Sequence, residues 1–347
     1  MKRSAAAAGV LAILAGTALA EIQEQKFKVI GLWNIGAMYA EHEAPLWTKS
    51  IPEASGGKIT AEVQSVTDLG LKGFETVKLL QTGVYDAGFG AYTYIASGDP
   101  VFEGIDLALV ADSSEASRRM VEAYGEVAAE AFQRIHGLKL LANYPYPAQI
   151  LVCRDAFDGL AGLRGRKIRV YSTTLGDMAE GLGGISATIP LADVVPALQR
   201  GVVDCGISSG ISMYTAKWQD VVKYVYETPV SAGVGFLAMT IDKWNGLDAD
   251  TQALIQAEAS KFADRAWSAL DDSVAQGVAC LTGQGEKCRY GEAADMVLVK
   301  VNDGDEAIRR QLLADFVLKR FAQRCGDECA ARWNATAGTV VGIEAKP

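Results

Sequence analysis

The sequence predicts an α/β protein of two lobes, with a ligand cleft between them and a long connecting helix. Strand-like and helix-like stretches alternate in two successive series, the pattern of parallel strands covered by helices. Two apolar segments, Tyr144–Cys153 and Val230–Thr240, cross from one series to the other. A late amphipathic stretch, Asp248–Ala279, sets Leu254, Ile255, Phe262 and Trp267 on one side and supplies the connecting helix.

The first series opens with Lys26–Leu32, where Phe27, Val29 and Leu32 mark a strand. Met38–Ser55 reads as a helix halted by Gly56-Gly57. Ile59, Ala61 and Val63 alternate with polar residues, as in a strand with one buried face. Leu71–Thr82 carries Phe74, Val77 and Leu80 at helical spacing and is capped by Gly83. Tyr85–Phe89 follows as a short strand and Ser113–His136 as a long helix. This order implies a parallel sheet with helices on both faces.

The second series repeats the pattern. Ile150–Val152, Ile168–Val170, Ala187–Ile189 and Val202–Ile207 read as strands. Between them, Thr174–Leu182 is a helix ended by Gly183-Gly184, and Ala192–Arg200 is one capped by Gly201. Further helices are expected over Glu306–Arg324 and Glu328–Gly338. Residues 1–20 are then a leader, 21–148 a first lobe completed by about 233–262, and 149–232 a second lobe. Residues 248–347 form the long helix and a C-terminal helical region. Hinges fall at 145–153 and 229–236, and open α/β sheets offer ligands the carboxyl ends of their strands.

The leader has its own signature. Lys2-Arg3 precede an uncharged stretch, Ser4–Ala20, that ends Ala18-Leu19-Ala20 before Glu21. That is a secretory signal peptide with cleavage after Ala20, too short for a membrane span. No Cys follows the cleavage site, so no lipid anchor is expected. Of 347 residues, 33 are basic and 42 acidic, a net charge of −9 that becomes −11 once Lys2 and Arg3 are removed. An acidic chain argues against nucleic acid as partner, because phosphate binding wants a basic face. Two histidines leave little room for His-based catalysis.

Export permits disulfides. The cysteines are Cys153, Cys205, Cys280, Cys288, Cys325 and Cys329. A Cys280–Cys288 bridge would close a short loop and add roughly 2–3 kcal/mol, and Cys325–Cys329 is the other local pairing. Cys153 and Cys205 read equally as a third bridge or as buried thiols. Neither C-x7-C nor C-x3-C is a usual zinc spacing, and no metal is expected.

Three chemical motifs compete. Gly206-Ile207-Ser208-Ser209-Gly210 matches the G-x-S-x-G elbow of serine hydrolases, which makes a secreted hydrolase using Ser208 the rival reading. In that fold the catalytic His follows the Ser, whereas His42 and His136 both precede it. Gly88-Phe89-Gly90 lacks the rest of a dinucleotide fingerprint, so no cofactor is expected. Arg169 stands between Ile168 and Val170 inside an apolar strand. A buried charge needs a partner: either a structural one, such as Asp193 or Asp204, or a ligand carboxylate held by the guanidinium fork.

The run Leu163-Arg164-Gly165-Arg166-Lys167-Ile168-Arg169-Val170, then Leu182-Gly183-Gly184, then Ala197-Leu198-Gln199-Arg200-Gly201-Val202-Val203-Asp204, resembles the central signature of TRAP-transporter solute-binding proteins, the DctP family. Ser55-Gly56-Gly57-Lys58-Ile59, Asp68-Leu69-Gly70 and Gln81-Thr82-Gly83 resemble its first lobe, and Phe236-Leu237 followed by Trp244, Leu247 and Gln252 its third part. The resemblance runs from about Phe27 to Phe262. It implies a type II-like periplasmic binding-protein fold and no enzymatic activity. It also implies a periplasmic location and delivery of an organic acid to a membrane permease, with a sensor feeding a membrane receptor as the other possible partnership. The family's carboxylate-gripping Arg matches Arg169. The second Arg of sialic-acid-type members is replaced near Gln149, and the Glu-Trp pair of cation-using members is missing after Asp204.

The expected site is therefore Arg169 with Trp33, Asn34, Tyr92, Gln149, Tyr171 and Ser208, and Tyr94 also faces it. With one Arg and several aromatics, the expected ligand is a monocarboxylate with an apolar or aromatic body.

Overall fold

The computed structural model describes residues 22–34, 37–285 and 288–347; the expected signal peptide lies outside the described residues. In chain order the strands are β1 (Gln25–Gly31), β2 (Ile59–Ser65), β3 (Ala87–Ala91), β4 (Leu138–Pro145), β5 (Gln149–Cys153), β6 (Lys167–Val170), β7 (Ile185–Thr188), β8 (Cys205–Ser209), β9 (Tyr224–Tyr226), β10 (Val234–Thr240) and β11 (Val297–Val299). They form two sheets, one per lobe, ordered β2-β1-β3-β10-β4 and β11-β9-β5-β8-β6-β7.

Alternation explains β1, where Phe27 and Val29 are fully buried while Lys26 and Lys28 are exposed. β3 is buried throughout and uses glycine where another ring crosses it: a Cβ on Gly90 would lie 2.1 Å from Phe236. Its neighbour β10 is a continuous apolar run, as a central strand requires.

The strands linked through helices pair in parallel: β1 with β2 and β3, and β6 with β7 and β8. The crossing strands correct the expectation of wholly parallel sheets. β10 runs antiparallel to β3 and β4, and β5 runs antiparallel to β8 and β9. Each enters its sheet directly from the other lobe, with no helical crossover to return it to the starting end. The carboxyl ends of β1, β3, β6 and β8 consequently all point at the cleft. The fourth expected strand of the second series begins late. Val202 sits in the turn after Gly201, half exposed, and pairing starts at Cys205.

The predicted connecting helix is two helices. Ala249–Ser268 lies on the first lobe, where Phe262 packs edge-on against Phe89 and Tyr144 and Gln256 Nε2 donates to the Leu141 carbonyl. Leu270–Leu281 lies on the second lobe, with its backbone pressed against the helix Gly210–Thr215. A Cβ on Gly277 would come within 2.4 Å of Ile211 N, so glycine is needed for that contact. The break falls at Ala269, because the two halves serve differently oriented surfaces.

The C-terminal helices expected over Glu306–Arg324 and Glu328–Gly338 correspond to helical runs at 305–325 and 327–341. Before them, β11 adds an unpredicted edge strand to the second sheet. The chain then returns to the first lobe, where Trp333 Nε1 donates to the Gly104 carbonyl. At this return Arg324 joins Glu103 of the first lobe to Asp177 of the second, at 2.8 and 2.7 Å. All six cysteines pair: Cys153–Cys205 across neighbouring strands, Cys280–Cys288, and Cys325–Cys329.

Candidate functional site

A cavity lies between the lobes. From the second lobe, β6 delivers Arg169 and is followed directly by Tyr171, β8 delivers Ser208, and β5 delivers Gln149. The first lobe supplies Trp33, Tyr94 and Asp106, and Tyr146 comes from the crossing segment.

Arg169 is 1% exposed. Its Nε donates to the Ile189 carbonyl at 2.8 Å and its Nη1 to the Ile207 carbonyl, and the guanidinium carbon lies 5.2 Å from the Tyr171 ring centroid and 5.9 Å from that of Trp218. These neutral partners hold the plane of the fork without cancelling its charge. Neither carboxylate considered from the sequence reaches it. Asp193 pairs with Lys72 at 2.9 Å and Asp204 with Lys167 at 3.8 Å. Burial pushes the guanidinium pKa down, and the Tyr94 and Tyr171 phenols oppose that shift. Among the described residues lining the cavity, Arg169 is the one cation.

The aromatic wall is built by contact. Trp33 meets Tyr94 edge-on at 5.4 Å, and Tyr94 stacks on Phe74 at 3.9 Å. Gln149 lines the cavity with its Nε2 donating to the Pro147 carbonyl at 2.6 Å. Burial raises the Tyr171 phenol well above its ordinary range, so it stays protonated.

The cavity gathers Arg169, Trp33, Gln149, Tyr171 and Ser208, together with Tyr94. Two expected members lie elsewhere. Tyr92 is fully buried in the first-lobe core among Phe102, Phe132 and Phe236, with its hydroxyl bound to Asn143. Tyr92 and Tyr94 open the same helical turn, and residues two apart on a helix face nearly opposite ways. Asn34 is exposed and donates to Asp68 at 2.6 Å, outside the cavity lining.

Asp106 and Tyr146 were not anticipated. Asp106 had a signal, since it is a lone charge among Ile105, Leu107, Ala108 and Leu109 and invites the question already asked of Arg169. Its Oδ1 accepts from Ser231 Oγ at 2.9 Å and Gly233 N at 3.2 Å. The hydrolase reading fails on geometry: neither histidine lines the cavity that Ser208 faces, and His136 lies 3.5 Å from Asp99 in the first lobe. The second Ser of the motif, Ser209, caps the following helix by accepting from Ser212 N. Among the described residues no cluster of His, Cys, Asp and Glu could hold a metal ion, and no helix is long and apolar enough to cross a membrane.

Polar contacts span the cleft rim, among them the Lys72–Asp193 pair and the contact of Glu41 with Arg289 at 2.7 Å and with the Tyr290 hydroxyl.

Solved structures share this architecture. A Bordetella pertussis extracytoplasmic solute receptor binding pyroglutamic acid superposes with a TM-score of 0.77 at 19% identity, covering 90% of this chain and 98% of its own. A TRAP periplasmic solute-binding protein from Desulfovibrio salexigens, with orotic acid bound, gives 0.81 at 15% identity, covering 91% and 98%. A marine metagenome TRAP solute-binding protein specific for pyroglutamate gives 0.79 at 18% identity, covering 90% and 98%. The family model for bacterial extracellular solute-binding proteins, family 7, matches residues 37–289. The chain therefore belongs to the DctP family of extracellular solute-binding proteins, a family of receptors rather than enzymes.

Proposed function

We propose that the protein captures a small organic acid in the interlobe cavity by pairing the ligand carboxylate with Arg169, and hands it to a TRAP membrane permease. The observation that carries this reading is a fully buried guanidinium facing a cavity, hydrogen-bonded to carbonyls and flanked by rings, with no ion pair to any carboxylate among the described residues, Asp106 on the same cavity wall included. An anion entering there meets a charge already desolvated and oriented, the arrangement in which a charge-assisted pair is strongest. Orotic and pyroglutamic acid, the ligands of similar proteins, are both carboxylic acids.

Gln149 and Ser208 complete the polar contacts, while Trp33, Tyr94 and Tyr171 enclose the body of the ligand. One cation favours a monocarboxylate. Rotation about the segments near 145–149 and 229–234 and about Ala269 opens and closes the lobes.

A thermal-shift screen of organic acids finds the ligand, since one present at 100 times its Kd adds about 2.7 kcal/mol of stability. Titration then compares wild type with Arg169→Ala. Removing one partner of a buried charge pair costs roughly 2–5 kcal/mol, so affinity falls by about 30-fold or more. A folded Arg169→Ala protein that binds as wild type does would refute the assignment.

A further inference from the structure

We infer that Asp106 is a specificity residue that accepts a hydrogen bond from an N–H or O–H group of the ligand, so that the acid held here carries a donor as well as a carboxylate. The inference rests on capture of the carboxylate by Arg169 and names the class of acid captured.

Asp106 is 3% exposed and lines the cavity. Its two oxygens are treated unequally. Oδ1 accepts from Ser231 Oγ and Gly233 N; the Ala232 and Val234 N–H groups also face the carboxylate, yet Oδ2, also buried, meets no donor at hydrogen-bond geometry. Buried carboxylate oxygens are nearly always satisfied, so an orphan on a cavity wall marks the place of a missing donor. Neither Arg169 nor the neighbouring Tyr171 supplies it: the hydrogen bonds of Arg169 go to backbone carbonyls, and the Tyr171 hydroxyl on the same cavity wall is itself buried without a partner.

The backbone holds this carboxylate deliberately. Leu109, three residues on, sits at φ +65°, a left-handed conformation unusual for a bulky residue. In that conformation Leu109 N donates to the Val230 carbonyl at 2.9 Å, and Ala108 N lies 3.4 Å from Thr174 Oγ1. The loop bearing Asp106 is thereby tied to a crossing segment and to the second lobe. Burial raises the Asp106 pKa, and the Ser231 hydroxyl and neighbouring backbone N–H groups pull it back.

Charge gives a second argument. A carboxylate inside an anion-binding cavity repels the ligand's own carboxylate, so it weakens capture unless it meets something of opposite polarity. It also rejects acids with a second carboxylate on that side, and the pair fixes orientation: carboxylate towards Arg169, donor towards Asp106.

The test uses acids matched in shape but for the donor: pyroglutamate against its ring-oxygen lactone, in which O replaces N–H, and lactate against 2-fluoropropionate, in which F replaces O–H. Each is titrated calorimetrically into wild type, Asp106→Asn and Arg169→Ala, with circular dichroism confirming that the variants fold. On wild type, the donor-bearing member of a pair binds at least about tenfold more tightly than its partner. Asp106→Asn narrows that gap, chiefly by weakening the donor-bearing acid. Equal binding of both members by wild type overturns the role of Asp106 and leaves capture by Arg169 standing, a result that needs no variant. Failure of every acid to bind, or binding unaffected by Arg169→Ala, overturns both readings.

Discussion

Replacing Arg324 by Ala removes the tie between the lobes at the C-terminal return. Its Nε and Nη2 donate to Glu103 at 3.0 and 2.8 Å, and Nη2 also reaches Asp177 at 2.7 Å. Glu103 is 3% exposed and Asp177 5% exposed, so both carboxylates are buried acceptors. Breaking a buried pair by deleting one partner costs about 3–5 kcal/mol. The Arg324 side chain is 28% exposed and Asp177 keeps Arg320 at 3.1 Å, which places the expected loss at the lower end, about 3 kcal/mol. A chain of this size has an unfolding entropy of about 0.7 kcal/mol/K, so Tm falls by about 4 °C. Burial already raises the Glu103 pKa above 4.5, and Arg324 opposes that rise. Without Arg324 the folded state holds a proton on Glu103 to still higher pH. The deficit is then largest at neutral pH and shrinks as pH falls towards 4.5. Urea unfolding at several pH values measures it, and adding Glu103→Gln should restore part of the loss at neutral pH. A loss below about 1 kcal/mol, or no recovery with Glu103→Gln, would refute the reasoning.

Among the disulfides, Cys153–Cys205 spans 52 positions and Cys325–Cys329 only 4, so their removal should cost about 4 and about 2 kcal/mol. Urea midpoints of the paired Cys→Ala variants give the order, and a reversed order contradicts it. Lys72 and Asp193 are 40% and 50% exposed, so Lys72→Ala should weaken ligand binding by no more than about fivefold. That difference should vanish in about 1 M salt, and a large salt-independent effect counts against a rim contact. Glu43 is buried, with its pKa raised by burial against the pull of Leu32 N and the Tyr144 and Tyr146 hydroxyls. Wild type should therefore gain stability relative to Glu43→Gln as pH drops from neutral towards 4.5, and a pH-independent difference in Tm would exclude this.

The parts of the molecule legible in the sequence are those that local periodicity determines. The repeated strand–helix alternation was readable because buried faces recur at fixed spacing, and Arg169 was readable because a charge inside an apolar strand needs a partner. Asp106 asks the same question, yet the residues around it have no strand or helix period to make the charge look misplaced. Tyr92 and Tyr94 show a different limit, since residue type alone does not say which side of a turn faces a cleft. The antiparallel entry of β5 and β10 depends on the route of the chain between lobes, which no local pattern encodes. The break at Ala269 left no mark because Trp267, Ser268 and Leu270 include neither glycine nor proline. Packing of the two helices on separate lobes imposes it.

The position of β10 bears on how the chain is made. It pairs between β3 and β4, yet it is translated only after nearly the whole second lobe. A nascent chain ending at Pro145 thus holds four strands of the first sheet and lacks the one that joins them. The 95 residues from Pro145 to Thr240 take roughly 5 to 20 seconds to synthesise, and during that interval no sequence-local fold can close over β3 and β4. Non-local pairing of this kind slows folding further. The first sheet stays unfinished throughout that interval. The residues up to Pro145 thus do not by themselves encode a complete first sheet.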